Sequence, residues 1–284
     1  MATEPPSLGR IIQNFDAACA YLRQEEPLAR NDVPGLTGLS SKARYLFEQA
    51  QTDLRLLLRA GVSPQEQQSL ELLVHKSNVG LVHCLEIEAG AYYFAGFTNY
   101  DRNATILNDK ARGNLELAVE RLTQVSNAYI EFRESFARVN KTDLRCMRIP
   151  IIKSSLCEVY MTLGDNAQKR AQIIITPLVK EGADITDEQL STALSYSDES
   201  FDWYACVLGV CNETSEIGVA PEPGFKAPAE EGLFVAAANV RSVALCDKEH
   251  HTRPHEFKYL EIFESLGLLQ KFELYFNAVV VSRN

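Results

Sequence analysis

"LCEVYMTLGDNAQKRA", residues 156–171, decides how this chain is read. Leu156 and Tyr160 stand one helical turn apart, with the small Cys157 beside them, and Gly164-Asp165 follows four residues later. Glycine is the residue that most readily takes the left-handed conformation at a helix end. The stretch therefore predicts two helices meeting at a tight corner, with Gly164 and Asp165 in the turn and Leu156 and Tyr160 packing on the partner helix. If the corner recurs along the chain, the architecture is a stack of hairpins. If it does not, it is one connection in an all-α bundle.

Helical periodicity extends on both sides of it. Ile11, Phe15, Cys19 and Leu22 share a face, as do Leu46, Phe47, Ala50, Leu54, Leu57 and Leu58. Gly61 suits the end of that second helix, and "SPQE" (63–66) starts the next, with Ser63 as cap, Pro64 at the first helical position and Glu66 closing a capping box. Residues 110–140 read as one long helix with Leu115, Ala118, Leu122, Val125, Tyr129 and Phe132 on one side. Thr186 and Gln189 form a second capping-box spacing, and Gly267 divides the last apolar stretch. Pro27, Pro34, Gly35 and Gly38 make 25–41 read as a loop, and three prolines make 218–229 another. Both are read as internal loops of a single all-α domain over residues 1–284, because amphipathic helices needing partners lie on either side. Period-2 strands are lacking; the nearest to an extended piece is the terminal "AVVVS" (278–282), which also reads as a helix end.

The corner resembles the first half of a tetratricopeptide hairpin, in which a large apolar residue, a small residue and an aromatic precede Gly-Asp. Leu156, Cys157, Tyr160, Gly164 and Asp165 fall in that order, while Lys169 and Thr176 occupy places where the repeat has small residues. The resemblance covers one hairpin and implies antiparallel helical hairpins in a TPR-like α-solenoid or superhelix; a large helical bundle remains the other arrangement. Residues 143–165, "DLRCMRIPIIKSSLCEVYMTLGD", are also similar to degenerate repeat regions of meiotic chromosome-synapsis scaffold proteins.

Composition narrows the function classes. The chain has 284 residues, 46% hydrophobic and 23% charged, with a net charge of −10. Nucleic-acid affinity comes largely from Lys and Arg neutralising phosphates, so no nucleic-acid partner is expected. "MATEPPSLGR" has neither a basic nor an apolar leader segment, and no stretch of about 18 uninterrupted apolar residues occurs, so neither a secretory signal nor a membrane span is expected. The seven cysteines are odd in number and lie in no CxxC pair, the pattern of reduced thiols in a cytoplasmic or nuclear protein.

The densest chemical cluster is "CDKEHHTRPHEF" (246–257), where Cys246, His250, His251 and His255 are candidate metal ligands. Cys246 and His250 would share a helical face. A solvated junction between helices accounts for the same residues, with Pro254 in a first turn. His75 and His83 lie eight residues apart on one helix, about 80° apart around its axis, and do not converge on one ion. Asn108, Asp109 and Glu116 have the spacing of a terpene-synthase magnesium motif, but Arg112 stands at its serine position, and Asn108 or Asp109 reads as a helix cap. No nucleophile elbow, phosphate-binding glycine loop or zinc-protease signature occurs. Tyr92, Tyr93, Phe94, Phe97 and Tyr100 concentrate aromatic surface at a helix end, a candidate partner or ligand surface.

These features predict a non-catalytic scaffold or adaptor that binds another protein or peptide, without a cofactor, and that could serve as a subunit of a larger complex. The alternative is a helical-bundle enzyme, or a small-molecule or metal binder, using the 246–255 cluster.

Overall fold

A computed structural model gives the structure and describes residues 7–26, 28–98, 106–140, 145–181, 186–213, 224–244 and 253–281. They form ten helices and no strand: α1 (Leu8–Arg23), α2 (Val33–Ala60), α3 (Pro64–Thr98), α4 (Asp109–Glu131), α5 (Arg133–Asn140), α6 (Arg145–Glu181), α7 (Asp187–Asn212), α8 (Lys226–Ala244), α9 (Arg253–Ser265) and α10 (Leu269–Val281). The protein is all-α in these residues.

Local chemistry sets the helix ends. The Ser63 hydroxyl accepts from the Glu66 N–H, the Ser63 N–H donates to the Glu66 carboxylate, and Pro64 opens α3. Thr186 and Gln189 make the same reciprocal box on α7, and Asn108 caps α4 by accepting from the Ala111 N–H at 2.8 Å. Gly267, at φ +67°, separates α9 from α10: its N–H donates to the Glu264 carbonyl and that of Leu268 to the Phe263 carbonyl, the paired bonds of a left-handed helix stop.

The chain divides into two compact units. The first comprises Met1–Asp101, Asn108–Leu156 and Ser215–Pro221; the second comprises Arg102–Leu107, Cys157–Thr214 and Glu222–Asn284. In the first unit α3 is the hub, packing on α2, α4 and α5, while α1 covers α2. From Ser40 through Phe47 to Gln51 on α2, the partners on α3 run backwards from Glu88 through Gly80 to Asn78, so the two helices are antiparallel. The same reversal relates α3 to α4, since Gly96 meets Leu115 and Glu86 meets Tyr129. A Cβ added to Gly80 would lie 2.5 Å from Phe47, and one added to Gly96 would lie 2.5 Å from Leu115. These two glycines admit the side chains that hold α2 and α4 close to α3.

The second unit is organised around aromatic rings. Phe201 of α7 stacks on Tyr259 of α9 at 4.2 Å, and Phe263 stacks on Phe272 of α10 at 4.7 Å. Phe234 of α8 touches Phe263, Phe272 and Tyr275. Trp203 is half-buried, stacked on Tyr160 and donating its indole N–H to Glu199.

Three expectations are corrected. The Gly164-Asp165 corner is absent: α6 is one helix of 37 residues from Arg145 to Glu181, running through Pro150, Gly164 and Pro177. Gly164 is not a positive-φ residue. It is buried against Tyr204 of α7, and a Cβ there would lie 3.1 Å from two ring carbons. Gly232 of α8 meets the same ring, its added Cβ falling 2.5 Å from Cζ. The Tyr204 hydroxyl donates to Asp165 at 2.6 Å. Gly-Asp is thus a seat for a buried tyrosine, flat where the ring lies and anionic where the hydroxyl ends. Leu156 is buried and Tyr160 half-buried on this continuous helix, so neither flanks a turn. The tetratricopeptide resemblance rests on that turn.

The 25–41 loop is shorter than expected, because α2 starts at Val33. Asp32 caps it by accepting from the Gly35 N–H, and Pro34 sits in the first turn, where a missing N–H costs nothing. The helix expected over 110–140 breaks at Phe132, the end of α4. Residues 278–281 belong to α10, the helix end that the sequence also allowed.

Candidate binding groove

His83, Glu86, Ile87, Gly90, Tyr93 and Phe94 recur along α3 at spacings of three and four, which places them on one face. They line a cavity of about 630 Å³ in the first unit. Leu28 and Leu36 close one side, Leu122 and Val125 of α4 another, and Ile151 and Ile152 of α6 a third. Glu25, Glu26, Arg30 and Arg148 bring charge to it. Gly90 differs from Gly80 and Gly96 on the same helix, because a Cβ there would meet nothing within 4 Å. No packing contact requires this glycine; its missing side chain leaves the cavity floor open.

The polar side of the groove centres on His83. Its Nε2 lies 3.4 Å from the Glu25 carboxylate and its Nδ1 lies 3.4 Å from that of Glu86. The Tyr129 hydroxyl donates to the other Glu86 oxygen at 2.7 Å. Hydrogen bonding to Glu86 raises the His83 pKa against the opposing effect of burial, and Glu25 adds to the rise. Burial pushes Glu86 up, but the bonds from His83 and Tyr129 together with the Arg148 charge outweigh it and hold the carboxyl below its usual range. Burial raises the Tyr129 phenol, and the charge of Glu86 raises it further.

A buried carboxylate braces the helices that frame this face. Glu88, 3% exposed, lies 3.6 Å from Arg44 of α2 and 3.4 Å from Arg121 of α4, and accepts the Ser40 hydroxyl at 2.8 Å. One side chain of α3 thereby ties α2 and α4 to it. Farther along, His75 and Asn78 of α3 both bond Ser135 of α5, and Asn78 also accepts from Gln51.

The residues singled out from sequence fall in several places. Tyr93 and Phe94 line the groove; Phe97 lies against Tyr93 at 4.8 Å, and the Arg30 guanidinium sits over Phe94. Tyr92 is half-buried and does not line the groove, while Tyr100 lies outside the described residues. Cys246, His250 and His251 also lie outside them. His255 is described, with Nδ1 2.6 Å from Asp198 of α7, whose other oxygen accepts the Tyr259 hydroxyl at 2.8 Å. Among the described residues no group of three or more His, Cys, Asp or Glu could hold a metal ion. Burial raises the thiol pKa at Cys19, Cys206 and Cys211 and pushes Cys84 up to about 12, the opposite of what a thiolate nucleophile requires.

Asp198 and His255 also line a second cavity of about 510 Å³, within the second unit, beside Ser191, Ser195 and Asp187. The carboxylate orients the imidazole through Nδ1, so Nε2 is the ring nitrogen that Asp198 does not hold. Sequence reading singled out His255 and missed Asp198. It also missed the α3 stripe, whose signal was the spacing of His83, Glu86, Ile87, Gly90, Tyr93 and Phe94.

Comparison of the chain with known protein families, with curated proteins and with solved structures finds no match. Among the described residues no helix is long and apolar enough to cross a membrane.

Proposed function

We propose that this protein is a non-catalytic binding scaffold of the cytoplasm or nucleus whose α3 groove takes an amphipathic helical segment of another protein. The observation that carries this reading is the open apolar floor at Gly90, walled by Leu36, Ile87, Leu122, Val125 and Ile152. Helix-in-groove recognition uses apolar anchors spaced at three and four residues, and an aliphatic channel between antiparallel helices complements them. The acidic balance of the chain and the raised thiol pKa values of Cys19, Cys84, Cys206 and Cys211 support a soluble interaction module.

The test is a displayed library of amphipathic helical peptides selected on the full-length protein at about pH 8. The reading expects enriched peptides whose binding is lost by roughly tenfold or more, about 1.4 kcal/mol, in Gly90→Phe, which fills the floor. Enriched peptides that ignore this variant, or no enrichment at all, would overturn it.

A second reading rests on the Asp198–His255 pair in its cavity, which suits a small-molecule site. A thermal-shift screen of metabolites would support it with a hit lost in His255→Ala and kept in Gly90→Phe. A screen without such a hit counts against it.

A further inference from the structure

The groove reading leaves the charge of the partner open, and the surroundings of His83 address it. Its imidazole sits between two carboxylates that are not equivalent. Glu86 has both oxygens engaged, one by His83 Nδ1 and one by the Tyr129 hydroxyl, with the Arg148 charge nearby. Glu25 lies in the turn that follows α1, faces His83 Nε2, and has the exposed Glu26 beside it. Arg30, the other cation at the cavity, lies over the Phe94 ring.

Resting on the groove reading, we propose that the partner segment presents an arginine or lysine to Glu25, and that protonated His83 is its competitor for that carboxylate. The groups facing His83 are Glu86 on its own helix, Glu25 from the turn after α1, and Arg148 from α6; Tyr129 of α4 acts through Glu86. When His83 is protonated, its two N–H groups serve the two carboxylates. When it loses the proton, a neutral ring keeps one N–H and turns a lone pair outward at the other nitrogen. Glu86 then retains Nδ1–H and Tyr129, while Glu25 faces the bare Nε2 and has lost its cation. An arginine fork supplies what both now lack, donating one N–H to the Glu25 carboxylate and one to His83 Nε2. Binding below the His83 pKa therefore releases one proton to solvent, and affinity rises with pH until His83 is neutral. The raised pKa of His83 moves this titration above the usual histidine value of 6.5, toward neutral pH.

The experiment uses the peptides selected on the full-length protein and reads their sequences, then their affinities at about pH 5.5 and about pH 8.5. The expected result is enrichment of Arg or Lys beside the apolar anchors, with affinity about tenfold or more weaker at the lower pH. His83→Gln should remove the pH dependence of whatever affinity it retains. Glu25→Gln should remove the preference for Arg over citrulline at one peptide position and keep the apolar anchors. Selected peptides that are acidic or neutral beside their anchors, a pH slope that persists in His83→Gln, or an Arg preference that persists in Glu25→Gln would each overturn the inference and leave the groove reading standing. Loss of the groove reading shows separately, as peptides indifferent to Gly90→Phe.

Discussion

The first unit braces its helices with charge, and the second with aromatic rings. In the first, small buried apolar clusters lie around Ile11 and Leu54, around Phe47 and Cys84, and around Leu36 and Ile87, and Val82 of α3 and Leu115, Leu122 and Val125 of α4 are buried as well. Glu88, Glu86 and the Ser135 layer tie the helices between them. In the second, one continuous cluster runs from Cys157 to Phe272 and encloses five fully or nearly fully buried rings at Phe201, Tyr204, Tyr259, Phe263 and Phe272. Glycines divide differently, within each unit. Gly80 and Gly96 in the first unit and Gly164 and Gly232 in the second are closed against a side chain, whereas Gly90 and Gly209 border open space.

The largest change that breaks the contrast is removal of the ring seated between two glycines. Tyr204→Ala should cost about 4 kcal/mol in urea unfolding. Next is the brace of the first unit: Glu88→Ala leaves Arg44 and Arg121 without their shared carboxylate and should cost about 3 kcal/mol. Gly232→Ala should cost about 2 kcal/mol, since overpacking at 2.5 Å exceeds the gain in helix propensity. Gly164→Ala, at 3.1 Å, should cost less than Gly232→Ala. Gly209→Ala, which meets nothing within 4 Å in α7, should instead stabilise by about 1 kcal/mol. A Gly209 variant as damaging as Gly232→Ala would remove the distinction between closed and open glycines.

The smallest effect is electrostatic. The folded-state pKa of His83 is raised, so its stabilising contribution is present below about 6.5 and is lost as pH rises through the folded value. Wild type should exceed His83→Gln in melting temperature most at about pH 5.5, with the gap narrowing toward pH 8.5. A gap that widens with pH would mean the carboxylates do not favour the charged ring.

Helix identity was legible because it is local. Ser63, Asn108, Thr186 and Gly267 act within one turn of themselves, and all four behave as their residue types predict. Gly164 was misread because its role is set 40 residues away, by Tyr204 across a helix interface, and no window around residue 164 contains that partner. Pro34 was misread because proline signals both a break and a first turn, and Asp32 decides between them. The groove lies between these cases. Its α3 stripe is a local pattern, but Glu25, Tyr129 and Arg148 reach it only through the antiparallel packing of other elements.

The central claim is that Gly90 keeps a binding floor open and does not serve packing. Its most direct test measures one variant twice, by thermal melt and by titration with a groove-selected peptide. For Gly90→Phe the account predicts a melting temperature at or above wild type and binding weakened by roughly tenfold or more. A variant that unfolds, or one that folds and binds with wild-type affinity, would contradict it.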